Sequence, residues 1–418
     1  MGRVAVIGQG YVGLPLAMRA VDVGFDVVGV DRDERRVKQL EGAVSYVEDI
    51  SSAQLATALD SGRYRPCDDY SAVAGFDVCV IAVPTPLSEG VPDLSYICDA
   101  ARSVAPYLAT GCTVVLESTT YPGTTEELLG PILEAGSGLR AGEDFFLGYS
   151  PERIDPGNRH WRLENTPKVV AGVNERSLAS VQEFYARIVQ RTVVVSSVKT
   201  AELTKLLENT YRHVNVALVN ELAMFAADLG TNIWEAIDAA ATKPFGYHPF
   251  TPGPGVGGHC LPIDPSYLSW QVKRRLGCNF RFVDLANDIN DHMPDYIVRR
   301  VGSGLNKRRK PVNGSRVLLL GLAYKKNVGD VRESPAIQVA HGLCRGGAEV
   351  VAADPFADPF HIPTGLMLVE PAETEIARAD AVVILTDHDA FDYGLVERSA
   401  SYVFDVRHRC HGDHVEHL

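Results

Sequence analysis

Covalent chemistry in this sequence points first to a cysteine and its setting, the stretch Pro252-Gly253-Pro254-Gly255-Val256-Gly257-Gly258-His259-Cys260-Leu261-Pro262-Ile263-Asp264. Its four glycines and three prolines rule out a helix or a central strand, because proline removes a backbone donor and glycine weakens either element. Such glycines let the backbone pass close to another group, and Cys260 stands at the far lip with Asp264 beyond it. A thiol attacks only as thiolate, which requires an electropositive, partly exposed position. A rigid loop supplies the exposure, while a buried cysteine on a tight turn is the structural alternative. Upstream, Lys205 and Asn209 are four residues apart, so a helix would place a cation and an amide on one face. Downstream, Ala323-Tyr324-Lys325-Lys326-Asn327-Val328-Gly329-Asp330-Val331-Arg332-Glu333-Ser334-Pro335 sets two lysines and an arginine ahead of a helix. That arrangement suits a phosphate, and its competitor is a charged surface loop. The tail carries His408, Cys410, His411, His414 and His417. Their types suit zinc, but no second cluster stands at a structural-site spacing, so no metal is expected and the terminus is expected to be solvated and partly disordered.

These residues need a scaffold, and its clearest part is N-terminal. Arg3 to Ile7 reads as a buried strand, followed by Gly8-Gln9-Gly10-Tyr11-Val12-Gly13 and the helical Leu14-Pro15-Leu16-Ala17-Met18. The spacing GxGxxG is weak alone. Between a strand and a helix, with a second strand Val27–Val30 ending in Asp31, it becomes a dinucleotide fingerprint. The glycines allow the turn, the approach of a pyrophosphate and tight helix packing, and the Asp31 carboxylate can take the ribose hydroxyls. Arg32 beside it leaves a 2′-phosphate open. Further strands follow: Asp77–Val83, stopped by Pro84-Thr85-Pro86; Thr113–Leu116, ending in Glu117-Ser118-Thr119-Thr120-Tyr121-Pro122-Gly123; and Phe145–Leu147, leading to Tyr149-Ser150-Pro151-Glu152-Arg153. Near-continuous apolar runs fit a parallel sheet, whose carboxyl-end loops face one crevice. Val169–Ala171 and Val193–Val195 complete it.

From Thr200, read as the cap, to Leu229 the pattern becomes a long helix stopped by Gly230. At 1.5 Å per residue it would run about 45 Å, and Leu203, Leu206, Leu207, Val214, Leu218, Leu222 and Phe225 give it apolar positions on more than one side. A homodimer through this helix is expected. Mixed helices continue to about Leu305, and the basic run Asn306 to Gly314 reads as a solvated linker. A second α/β unit then begins at Val317–Gly321, with later strands Val350–Ala353 and Val382–Leu385 and no glycine fingerprint. The fold class is α/β: two Rossmann-like doubly wound domains joined by a long central helix and a helical dimerisation region. The boundaries are 1–198 for the domain with the dinucleotide fingerprint, 199–305 for the central helical domain with the cysteine loop, and 306–418 for the C-terminal α/β domain.

Composition narrows the function. The 418 residues are 46% hydrophobic and 22% charged, as in an ordinary soluble protein of two or three domains. A net charge of -13 argues against nucleic acid, so an anionic ligand must be met by local basic residues. No apolar run approaches the ~18 residues of a membrane span. Eight cysteines without CxxC spacing suit a reducing cytoplasm.

Taken together, the fingerprint, Glu117-Ser118-Thr119, Ser150-Pro151-Glu152-Arg153, Lys205 with Asn209, Gly257 to Asp264 and the loop Lys325 to Pro335 resemble the UDP-glucose/GDP-mannose dehydrogenase family. They span nearly the whole chain in the family's order. Thr242-Lys243-Pro244-Phe245-Gly246 and Pro252 to Cys260 resemble its UDP-N-acetylglucosamine 6-dehydrogenase branch. The resemblance implies NAD as cofactor, a nucleotide sugar as substrate and oxidation of the C6 alcohol to a uronic acid in two hydride transfers, with the aldehyde captured on Cys260. It implies that Lys205 and Asn209 stabilise an oxyanion, that Asp264 with a water accepts a proton, and that Glu152 and Thr119 handle the hydrolytic water. For the cofactor it implies Gly8, Gly10, Tyr11, Val12, Gly13, Asp31, Arg36, Pro84, Thr85, Ser118, Thr119 and Arg332. For the substrate it implies Glu152, Arg153, Lys205, Asn209, Gly257, Gly258 and Lys325. UDP-glucose and dTDP-glucose are the alternative substrates. Outside this class stand a two-electron hydroxyacid dehydrogenase, which would need no Cys260, and a nucleotide-sugar sensor holding NAD structurally, against which the intact Lys205, Asn209, Cys260 and Asp264 argue.

Overall fold

The computed structural model describes residues 2–47, 49–88, 90–155, 158, 160–258 and 261–418. They form two compact units, Met1–Glu208 with Ser266–Gln271, and Asn209–Pro265 with Val272–Leu418.

The first unit is built on β1 (Arg3–Ile7), β2 (Asp26–Val30), β3 (Tyr64–Cys67), β4 (Val78–Ile81), β7 (Thr113–Leu116), β8 (Phe146–Tyr149), β9 (Lys168–Gly172) and β10 (Thr192–Val194), with a small hairpin of β5 (Leu87–Ser88) and β6 (Val91–Pro92) between β4 and β7. The sheet order is β10-β9-β8-β7-β4-β1-β2-β3. Its neighbours pair in parallel except β8 and β9, which run antiparallel. Strand order reverses at β1, which lies between β2 and β4, so the turns leaving β1 and β4 form the crevice where such sheets bind ligands. The helices Gly13–Asp22 and Glu175–Ile188 bury Leu14, Ala17 and Val21 with Val181, Phe184 and Ile188 against the strands. The segment Ser266–Gln271 joins this unit through Tyr267, whose hydroxyl donates to Pro86 O at 3.1 Å, and Gln271, whose amide donates to Pro122 O at 2.5 Å. Sequence reading missed β3, whose Pro66 a central strand would not tolerate but an edge strand does.

The second unit carries β11 (Arg316–Leu320), β12 (Glu349–Ala353), β13 (Met367–Leu368), β14 (Ala381–Ile384), β15 (Val403–Asp405) and β16 (Val415–His417), all parallel, in the order β13-β12-β11-β14-β15-β16. The helix Arg281–Lys307 packs Met293, Ile297, Val301 and Leu305 into the core with Val339, Leu343, Val317 and Leu319. At Gly304 a Cβ would fall 2.0 Å from the Tyr402 hydroxyl, so only glycine lets the helix lie this close to β15.

Three expectations change. The terminal stretch is ordered rather than partly disordered: Cys410 is fully buried, β16 closes the sheet and Leu418 is buried. The Asp405 carboxylate causes this, accepting N–H bonds from Arg407 (2.8 Å), Arg409 (2.5 Å) and Cys410 (2.7 Å). The long helix runs from Val198 to Leu229, and its first turn is closed by Ser197, whose hydroxyl accepts from Thr200 N at 3.1 Å, not by Thr200. The basic run is helical as far as Lys307, and Arg308 stacks 3.8 Å from the Tyr402 ring centroid. Among the described residues no helix is long and apolar enough to cross a membrane, and no three His, Cys, Asp or Glu side chains are grouped to hold a metal.

Candidate active site

The turn after β1 is a cradle that only glycine can form. Gly8 adopts φ +92°, and a Cβ there would meet Ala82 O, at the end of β4, at 2.4 Å. A Cβ at Gly13 would lie 1.8 Å from Gly8 O, so the helix Gly13–Asp22 starts directly on the turn. At Gly10 nothing lies within 4 Å of a Cβ, so packing within the protein does not demand glycine there. Bare backbone over open space at a helix N-terminus suits an approaching pyrophosphate, so a dinucleotide fits. Asp31 closes β2 and is nearly buried; its Oδ2 accepts from Gln9 N and its Oδ1 from Asp33 N, both at 2.9 Å. Arg36 approaches Oδ2 to 3.6 Å and lies 5.6 Å from the Tyr46 ring centroid. Tyr11 and Val12 are half-buried, as is Thr85, whereas Pro84 is exposed. Ser118 is buried and donates to Val83 O at 2.8 Å, while Thr119 beside it is half-buried.

Beyond β7 and β8 lies a cluster of buried charges. The Lys168 ammonium sits 2.8 Å from Glu117 Oε1 and 3.1 Å from Glu152 Oε2. Tyr185 donates to Glu117 Oε1 at 2.5 Å, and Glu152 Oε1 accepts from the backbone N–H of Arg153 (2.6 Å) and Ile154 (2.5 Å). Burial pushes the Glu117 carboxyl up, and Lys168 offsets this only in part. Burial pushes Glu152 the same way, but Lys168 and the Ile154 N–H outweigh it and hold the carboxyl below the usual glutamate range. Lys205, also buried, donates to Glu152 O at 2.6 Å. Arg153 is held by Glu208 (2.6 and 3.3 Å) and by Pro167 O (2.6 Å).

In the second unit Asn209 donates from Nδ2 to Asp264 Oδ2 at 2.5 Å, and both side chains are buried. Asp264 opens the helix Asp264–Leu276. Gly257 and Gly258 precede it, and a Cβ on either would strike Tyr324 within 2.9 Å. Their bareness lets the cysteine loop lie against the lysine loop. Within the lysine loop Lys326 pairs with Asp389 at 2.6 Å, and Arg332 with Asp330 at 2.6 Å; Lys325 is half-buried. Cys260 lies outside the described residues.

Sequence reading assigned no role to Lys168, Tyr185, Glu202, Asp354 or His388. The buried Glu202 accepts from Gly123 N at 2.5 Å and from Thr125 N and Oγ1 at 2.8 and 2.7 Å. Asp354, at the end of β12, accepts from Leu322 N, Ala323 N and His388 Nε2, while His388 Nδ1 accepts from Asn327 N at 2.9 Å. This fixes the histidine tautomer and ties the first part of the lysine loop, at Ala323 and at Asn327. The one sequence signal among them was Asp354, an acidic residue at a strand end; Tyr185 and Glu202 lie within helices and Lys168 begins a strand.

Family models match along the chain. The NAD binding domain of the UDP-glucose/GDP-mannose dehydrogenase family covers residues 2–189, the family's central domain 199–292 and its UDP binding domain 318–411. The UDP-N-acetyl-D-mannosamine dehydrogenase of Pyrococcus horikoshii is 37% identical over 93% of this chain and 90% of its own length. The UDP-N-acetyl-D-glucosamine 6-dehydrogenase of Pseudomonas aeruginosa is 38% identical over 85% of this chain and 83% of its own. Among solved structures, the UDP-D-ManNAc dehydrogenase of Pyrococcus horikoshii superposes with a TM-score of 0.88 at 34% identity, covering 100% of this chain and 99% of that one. A UDP-glucose dehydrogenase of Pyrobaculum islandicum gives 0.86 at 29%, covering 97% and 94%.

Proposed function

The chain belongs to the UDP-glucose/GDP-mannose dehydrogenase family, and from that premise we propose that it oxidises the C6 alcohol of a UDP-2-acetamidohexose to the uronic acid in two successive steps. The observation that carries the reading is the buried Asn209–Asp264 hydrogen bond, which unites a helix amide with the carboxylate beyond the cysteine loop. NAD, when bound at the glycine cradle, supplies the acceptor for the hydride lost from C6. Asp264, through a water, takes the alcohol proton, and the Lys205 ammonium with the Asn209 amide stabilises the oxyanion at each stage. The Cys260 thiolate adds to the aldehyde carbon, giving a thiohemiacetal that keeps one transferable hydrogen on C6; its loss as hydride, for which a second NAD would be the acceptor, together with loss of the hydroxyl proton, leaves a thioester. Glu152, with Thr119, positions the water that releases the acid and returns the thiolate.

Gly8, Gly10, Tyr11, Val12, Gly13, Asp31, Arg36, Pro84, Thr85, Ser118 and Arg332 are assigned to the cofactor, and Arg153, Gly257, Gly258 and Lys325 to the nucleotide sugar. The three-part division at 198 and 305 is part of the same reading, and the spans matched by the family models support it. So is a cytoplasmic site of action. A homodimer is favoured by the long helix, on which Leu207, Leu218, Phe225 and Leu229 are 51% to 76% exposed. UDP-N-acetylglucosamine is the substrate favoured by the stretch Thr242 to Gly246. The manno epimer is the second reading, favoured by the Pyrococcus relatives.

The test is a panel of UDP-N-acetylglucosamine, UDP-N-acetylmannosamine, UDP-glucose and dTDP-glucose, with NADH counted per sugar consumed. Two NADH and a free acid are expected with one of the acetamido sugars. A single NADH with a carbonyl product would replace this reading by the two-electron one, and binding without turnover would replace it by the sensor.

A further inference from the structure

Lys168 takes no part in the chemistry proposed above, yet its side chain is only 2% exposed and bridges two carboxylates. Its position is a consequence of topology. β7 and β8 are parallel, so Glu117 and Glu152 leave the same edge of the sheet. β9 alone runs antiparallel to its neighbour β8, so its first residue, rather than its last, stands at that edge. That residue is Lys168. A parallel β9 would have delivered its C-terminal end there and put the lysine at the opposite edge.

Once there, the ammonium has little freedom. It contacts Glu117 Oε1 at 2.8 Å, Glu152 Oε2 at 3.1 Å and Pro151 O at 3.4 Å. Tyr185 donates to the same Glu117 Oε1 at 2.5 Å, and its ring centroid lies 5.2 Å from the same ammonium. Glu152 is caught on both oxygens, Oε2 by Lys168 and Oε1 by the Arg153 and Ile154 N–H groups. A carboxylate so surrounded by donors has no position at which a proton of its own would be favoured.

We propose that Lys168 is a positioning residue for the reaction: it fixes the orientation and the ionised state of Glu152, and Glu117 with Tyr185 holds Lys168 in place. Glu152 then meets the hydrolytic water as a permanent anion, orienting it through acceptor contacts, and never as a proton donor. The inference rests on the reading of Glu152 as the residue that handles water.

The experiment measures acid formation against pH in the wild type, Lys168→Met, Lys168→Arg and the double variant Lys168→Met/Glu117→Gln, with thermal melts to establish folding. Replacing the pair together removes a cation and an anion at once, which buried ion pairs tolerate better than loss of one partner, so the double variant keeps the test open where Lys168→Met does not fold. Loss of a cation at this distance raises a carboxyl by roughly 1–3 units. The acid limb of the profile is therefore expected to move up by at least about one unit in Lys168→Met, and by a smaller amount in the double variant, where loss of the Glu117 anion offsets part of the loss of the cation, with the sugar KM changed less than about threefold; it should return to the wild-type position in Lys168→Arg. A folded Lys168→Met or double variant whose acid limb overlays the wild type overturns the proposal. A wild type that makes one NADH per sugar sinks the four-electron reading instead, so the two failures are separable.

Discussion

Gly10 and Gly13 look equivalent in the fingerprint, yet the geometry predicts opposite consequences for the same added methyl. At Gly13 the new Cβ would lie 1.8 Å from Gly8 O, well inside the 3.0 Å that real contacts respect. Helix or turn must shift by more than about 1 Å, which places Gly13→Ala at or beyond the ~1–3 kcal/mol of an overpacked core. At Gly10 nothing within 4 Å opposes the methyl. Gly10→Ala should fold as well as the wild type, or gain up to about 1 kcal/mol from a less flexible unfolded chain. Its methyl would nonetheless occupy the open space into which a pyrophosphate must come, and a lost backbone contact of ~1.4 kcal/mol is tenfold in affinity. The assay pairs thermal unfolding without cofactor with NAD titration by calorimetry. Gly13→Ala should lose both stability and binding, whereas Gly10→Ala should keep its melting temperature and bind NAD about tenfold or more weakly. A Gly10→Ala protein that binds NAD with wild-type affinity would refute the assignment of this turn as the pyrophosphate cradle.

Cys260→Ser should reduce steady-state acid formation by at least ~10³ while changing sugar affinity little, because the second oxidation needs a covalent sulfur adduct; two NADH per sugar at near wild-type rate would remove the thiol from the mechanism. Asp31, already accepting two backbone N–H bonds, would confront a 2′-phosphate with like charge, so NAD should be strongly preferred to NADP, and comparable kcat/KM values for the two would contradict this. Light scattering at micromolar concentration should give a dimer, and a monodisperse monomer would exclude pairing through the long helix. Burial raises the Glu202 carboxyl from 4.5 to about 7 against the opposing Gly123 and Thr125 hydrogen bonds. The folded state therefore holds a proton that the unfolded chain has released, and this contribution is complete below pH about 4.5 and lost as pH rises through about 7. Glu202→Gln should make the fall in unfolding free energy between those values shallower by up to about 1.4 kcal/mol per pH unit, and an unchanged slope in urea titrations would exclude Glu202 as its source.

The parts of this protein that were legible in its sequence are those whose requirements are local. Gly8 and Gly13 are glycine because the backbone atoms crowding them are Ala82 O and Gly8 O, and the strand–turn–helix pattern around them carries that demand. Lys205 and Asn209 are four apart on a helix whose period announces which positions share a face. Long-range requirements left weaker marks. Asp405 orders the terminal segment because three N–H groups converge on its carboxylate, and nothing in a tail rich in histidine signals that convergence. Asp354 directly follows β12 and His388 lies in the loop after β14, and they meet only when β12 and β14 flank β11. Lys168 is the sharpest case, since as a sequence it is a charged residue at the edge of an apolar run, where a solvated lysine is ordinary. Its burial depends on the direction of β9, and a buried ammonium cannot exist without the carboxylates that meet it. Pairing rules say that a buried charge must have partners, but only strand direction says which residues those partners are. The conspicuous motifs thus mark where substrate and cofactor chemistry is expected, while the ionisation of the groups beside it is set by residues that no motif contains.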